Sequence, residues 1–190
     1  TLTINGTFTY SGTISGTGTI AYGATGTLVY GLTGSQTTAV EWPSTSGPST
    51  VTINAGSYTL NSSKSLLEDL ILSSGTALTI PSTMNITVGD DLINNGGTVT
   101  IQNNANLIQN GTTNDNVGDI TVFRNSASLF RLDYTLWSSP VGGQNLLAFS
   151  PSTLPNRFYT YDSGSDNYSP IVPSANDFVE GVGYLIRMPD

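Results

Sequence analysis

Cysteine and histidine are absent from the 190 residues, and charge of either sign is scarce, at 9% of the chain against about 25% in an ordinary globular protein. The missing Cys and His remove Cys–His and Ser–His–Asp catalysis within this chain. They also remove zinc sites built on those ligands. The lack of cysteine does not fix a redox compartment, although it suits an exposed setting. Lysine occurs once, at Lys64, with four arginines, and the net charge is −8. No basic stripe exists, so nucleic acid and anionic membranes are excluded as partners. No apolar run nears the roughly 18 residues of a membrane span. The chain opens at Thr1 without a leader peptide, and the expectation is a piece of a longer protein.

Thr, Ser, Gly and Asn take the place of the missing charge. Residues 1–40 carry no charged side chain. Within them GTFTY at 6–10, GTIAY at 18–22 and GTLVY at 26–30 each open on a turn residue and then alternate small and large side chains. That period of two is strand chemistry. Further on, residues 67–80 (LEDLILSSGTALTI) repeat as residues 88–101 (VGDDLINNGGTVTI), with Asp69/Asp90, Gly75/Gly96, Thr79/Thr100 and Ile80/Ile101 identical. Repeats of about 20–50 residues mark stacked units that bury one another's apolar faces. The triplet [Leu/Val]-Thr-Ile recurs at 2–4, 51–53, 78–80 and 99–101, the last three spaced by 27 and 21. Short strands are expected between them at 58–60, 70–72, 86–88 and 92–94. Three short strands per turn predict a β-helix, aliphatics inward and the central Thr outward. Asn is dense at the bends (94, 95, 103, 104, 106, 110, 114 and 116), where it tolerates positive φ and can stack in ladders.

The character changes near residue 120. Residues 121–190 hold eleven of the seventeen aromatics, four of the five basic residues and six of the nine prolines. They predict a compact second core. A hairpin is expected over 157–171, turning at Ser163-Gly164-Ser165-Asp166, with a strand over 182–188. The predicted fold is therefore all-β: an irregular parallel β-helix (β-solenoid) of about five or six rungs over 1–120, then a small aromatic-rich β module over 121–190. Open rung ends invite aggregation, so this module is expected to cap the coil and to continue into further chain.

Two passages carry a resemblance. Residues 27–53 have a Tyr…Glu-Trp-Pro…Gly-Pro…Val-Thr-Ile layout. Residues 133–189 begin DYTLWSSPV and continue with FSP at 149–151, RFY at 157–159 and GVGYLI at 181–186. Together they resemble large secreted or cell-surface proteins of flavobacteria and other Bacteroidota, in which a β-helix-like region precedes such a module and a C-terminal signal for type IX secretion. The resemblance implies export, surface display and an adhesin-like or structural role. It implies no catalytic residues.

Few constellations remain for chemistry. Repeat equivalence stacks Asp69 near Asp90, with Asp91 beside it, and two carboxylates about 5 Å apart repel unless a cation or proton intervenes. Calcium suits such oxygen ligands, which makes Asp69, Asp90, Asp91, Asp115 and Asp119 its candidates. The competing reading is bend carboxylates that keep a neutral coil soluble. Trp42, Trp137 and Tyr161 are candidate platforms for a sugar ring, against core packing. Lys64 alone is poor for acidic sugars on the solenoid. The expectation is a non-enzymatic structural or adhesive segment of a secreted or cell-surface protein, with self-association into filaments open to its flat, uncharged faces. The alternative is a carbohydrate-binding or lyase-like β-helix module acting on polysaccharide. No catalytic residue and no cofactor other than calcium is expected. Expected partners are neighbouring domains of a longer chain, a second copy or surface glycans.

Overall fold

The computed structural model describes residues 1–189, which divide into two compact units, Thr1–Arg124 and Asn125–Asp190. The first is a parallel β-solenoid. One wall stacks Thr7–Tyr10, Thr27–Tyr30, Val51–Ile53, Leu70–Leu72 and Leu92–Asn94, and the Ile93–Val117 bridge adds a sixth pass. A second wall stacks Ser35–Thr37, Ser57–Thr59, Ala77–Ile80, Thr98–Ile101 and Thr121–Val122. A third stacks Lys64–Ser65, Asn85–Val88 and Asn106–Gln109. Near the start, Leu2–Ile4 pairs with Ile20–Tyr22. The coil makes about six turns.

Local sequence explains the strands. In Val51–Ile53 both aliphatics are fully buried and Thr52 is half-exposed, and Leu78, Ile80, Val99 and Ile101 repeat the pattern around Thr79 and Thr100. Each buried aliphatic contributes roughly 1.5–3 kcal/mol. Strands of two to four residues cannot offset their ordering entropy of about 1–2 kcal/mol per residue alone, so each turn depends on the ladders above and below it.

The structure corrects which copies are neighbours. The 27-residue spacing is not a turn: Val51–Ile53 lies on the first wall and residues 78–80 on the second. True steps along the first wall are 20 (Thr7 to Thr27), 23 (Leu28 to Val51), 19 (Val51 to Leu70), 22 (Leu70 to Leu92) and 24 (Ile93 to Val117). The long repeat also shifts register partway. Leu70 pairs with Leu92, 22 residues on, whereas Leu78 pairs with Val99, 21 residues on. The bend at 95–97 is one residue shorter than its counterpart at 73–76, and it absorbs the difference.

Turns approach closely enough to exclude some side chains. A Cβ on Gly89 would stand 1.8 Å from the Leu67 carbonyl oxygen of the preceding turn. Arg124 seals carbonyls at the far end of the coil, donating to Phe123 O at 2.7 Å and Ala105 O at 2.9 Å.

The second unit is an antiparallel sheet in the spatial order Tyr134–Trp137, Tyr184–Arg187, Phe158–Asp162, Asn167–Pro170. Its hairpin and last strand lie where the alternation predicts them. Strand Thr121–Val122 belongs to the solenoid, so the division falls after Arg124. The core contains Leu146, Phe158, Phe178, Tyr184 and Ile186. An edge-to-face series Trp137–Phe149–Phe178–Tyr184 runs through it, with ring centroids 5.1–5.2 Å apart. A one-turn helix, Leu146–Phe149, is the element that alternation could not announce; Asn145 caps it by accepting from Leu147 N and Ala148 N. Among the described residues no helix is long and apolar enough to cross a membrane.

Candidate functional site

The bend preceding the first wall collects the acidic candidates. One carboxylate oxygen from each of Asp69, Asp90 and Asp91 lies within 4.8 Å of the others. The register makes Asp91, not Asp90, the counterpart of Asp69, since Leu70 pairs with Leu92. Asp69 Oδ1 accepts from Asp91 N at 3.2 Å, and Asp91 Oδ1 accepts from Asp115 N at 3.1 Å. Asn116 continues the series, its Oδ1 accepting from Leu92 N at 2.8 Å. The stack thus ties three successive turns by side chain to backbone. Asp90 stands beside it. Partial burial first, and then Asp91, Asp69 and Asp115, push its carboxyl above the usual carboxylate value. Asp115 and Asp119 lie outside the three-oxygen group. Three oxygens are about half of what calcium takes, and two of these carboxylates already hold backbone N–H groups.

Asn performs the bend work expected of it. Asn94 takes an inward position and is 3% exposed, yet its amide is satisfied. Nδ2 donates to Gly97 O at 3.1 Å and Asp119 O at 2.6 Å, and Oδ1 accepts from Gly97 N at 2.8 Å. Asn106 donates to Asn85 Oδ1 at 2.9 Å one turn away, a two-rung amide ladder.

Trp42 is not a sugar platform. It is fully buried, its Nε1 donating to Ser65 O at 3.2 Å and its ring 6.4 Å from that of Tyr30. The uncharged stretch around it gives no hint of which way it points. Trp42 belongs to a polar knot inside the coil that sequence reasoning missed. Glu41 is 1% exposed; its Oε1 accepts from Tyr30 Oη at 3.0 Å and Ala39 N at 2.7 Å, and its carbonyl accepts from Tyr22 Oη at 2.7 Å. Lys64, 4% exposed, donates to the Trp42 carbonyl. Burial lowers the Lys64 ammonium pKa, and Glu41 opposes that shift. Burial and then the Glu41 charge raise the Tyr22 and Tyr30 phenols. The knot holds the non-strand segment 38–48 against Lys64–Ser65, where the third wall begins.

In the second unit Trp137 is half-buried against Phe149 and lines a cavity of about 200 Å³ with Leu129, Thr135 and Arg187. Tyr161 is exposed on the hairpin, its ring 5.3 Å from Tyr168 and its hydroxyl donating to Asp166 Oδ1 at 2.6 Å. The structure therefore separates the three aromatic candidates: one buried in the coil, one on a cavity wall, one on an open sheet face.

The family described as Domain of unknown function (DUF8693) matches residues 35–190, and the chain belongs to it. The match takes in the second wall from its first strand and the whole of the C-terminal unit. No curated protein and no solved structure matches the chain.

Proposed function

We propose that this chain is a non-enzymatic structural segment of a secreted or cell-surface protein, in which a β-solenoid spaces and presents a C-terminal aromatic module. The observation that carries the reading is the set of parallel ladders that continues through about six turns around one aliphatic core. Such a coil resists extension along its axis because every turn is hydrogen-bonded to its neighbours. Its outward Thr and Asn rows keep it solvated with little charge, which suits a displayed surface. The resemblance to surface proteins of Bacteroidota supports the same setting, and an adhesive role follows from display.

Two assays on the purified protein test this. Stretching single molecules from Thr1 should unravel the coil turn by turn, in contour steps of about 20 residues' extended length, roughly 65–70 Å each. A single all-at-once release at low force would contradict the strut. Release of reducing ends or unsaturated products from any polysaccharide would contradict the non-enzymatic half of the proposal.

A further inference from the structure

The antiparallel sheet buries one face on Phe158, Tyr184 and Ile186 and leaves the other to residues of opposite parity. Paired residues share a face, so register defines the outer rows. Tyr134 pairs with Arg187, Leu136 with Leu185, Leu185 with Tyr159, and Tyr161 with Tyr168. Arg157 directly precedes Phe158, whose partner is Ile186, and this sets Arg157 beside Arg187 on the outer face. The rings of Tyr134 and Tyr159 meet edge-on at 5.9 Å. The phenols of Tyr159 and Tyr134 lie against the Arg157 guanidinium and hold it above its ordinary value. Leu136, Tyr161 and Tyr168 are 61%, 47% and 39% exposed, Arg157 is half-exposed and Arg187 is largely buried.

Two guanidiniums as cross-strand neighbours are unfavourable by themselves. Their placement is notable in a chain of net charge −8 with only five basic residues. The acids of the adjoining turns hold their own loops. Asp162 accepts from Gly164 N and Ser165 Oγ in the hairpin turn, Asp166 accepts from Tyr161, and Asp133 accepts from Phe130 N. Arginine matches carboxylates in geometry as well as charge. Tyrosines supply large, semi-rigid apolar area with a polar tip. Four strands at about 4.8 Å separation make a face some 14 Å across, wide enough for several rings in a row.

We propose that this outer face binds an acidic polysaccharide, with Arg157 on a uronate carboxylate, Arg187 adding positive charge at its side, and Tyr134, Tyr159, Tyr161 and Tyr168 against the sugar rings. The assignment is independent of the strut: it would give the displayed module a ligand, and its failure leaves the solenoid reading intact.

The test is affinity electrophoresis of the full chain in gels containing polygalacturonate, dextran or poly-L-glutamate. Polygalacturonate should retard the protein at low salt and dextran should not. Arg157→Gln, at a half-exposed site outside the core, should weaken retardation about tenfold, the loss of one charge-assisted bond. Tyr161→Ala should weaken it with the charge unchanged, and unaltered circular dichroism of both variants certifies their folding. Absence of retardation by polygalacturonate at low salt overturns the proposal. So does an Arg157→Gln variant that binds like wild type. Equal retardation by poly-L-glutamate, indifferent to Tyr161→Ala, would show that the face reads charge alone and would overturn the sugar assignment.

Discussion

In the solenoid, Leu28, Val51 and Leu70 meet as counterparts one turn apart on strands that all run the same way. In the C-terminal unit, Ile186 lies between Thr135 and Phe158 on strands that run against it. The first arrangement is built from many small, equivalent aliphatic layers, the second from a few large rings meeting edge to face. A layered coil distributes its stability and needs close backbone approach at every bend. An aromatic cluster concentrates its stability and tolerates looser connections. The two tryptophans report the two cases separately, Trp42 in the coil and Trp137 in the module, so 5-fluorotryptophan labelling gives one ¹⁹F resonance for each.

The largest expected loss follows Phe158→Ala. This ring is fully buried, and its removal should cost about 3–5 kcal/mol, read in urea through the Trp137 resonance. Leu72→Ala, equally buried in the coil, should cost about 2–5 kcal/mol, read through Trp42. A loss under about 1 kcal/mol at Phe158 would refute the concentrated core.

Glu41→Ala should follow, at about 2–4 kcal/mol, because it strands the buried Tyr30 hydroxyl and Ala39 N–H together. Glu41→Gln keeps an acceptor for both and should recover most of that. Equal losses in the two variants would mean that the knot does not depend on these hydrogen bonds.

Much of this was legible in residue order, and the limits have physical causes. The triplets at 51–53, 78–80 and 99–101 announce strands because alternation is local. They do not announce their wall, because wall membership depends on bends of unequal length; hence Val51–Ile53 and residues 78–80 share a sequence but not a sheet. The acidic group was legible to within one residue, since the shift from a 22- to a 21-residue step lies inside the repeat. The burial of Trp42 and Glu41 was hidden, because a neutral stretch looks the same inside and outside. The Arg157–Arg187 pair was hidden too, because only antiparallel pairing of distant segments creates it.

Smaller effects sharpen the contrast in backbone approach. Gly89→Ala places a methyl group against the Leu67 carbonyl and should cost about 1–3 kcal/mol. Gly183→Ala in the module meets open space and should stay within about 0.5 kcal/mol. Equal thermal shifts would remove the distinction.

The smallest effect is a pH dependence at Asp90. Its folded pKa lies above the unfolded value, so the folded state keeps a proton that the unfolded state has lost. This contribution to stability is full below the unfolded pKa and disappears as pH rises through the folded one. Asp90→Asn should flatten that part of the melting curve against pH, while the module's Trp137 resonance keeps its own pH profile. An unchanged slope would mean that Asp90 does not feel Asp91 and Asp69.

The central claim is a parallel coil whose register steps by 22 residues on one wall and 21 on the next. Backbone NOE contacts in the isotope-labelled protein test it most directly. The account predicts parallel-ladder contacts joining Ile71 to Ile93 and Thr79 to Thr100. Contacts joining Ile71 to Leu92, or an antiparallel pattern in either pair, would contradict it.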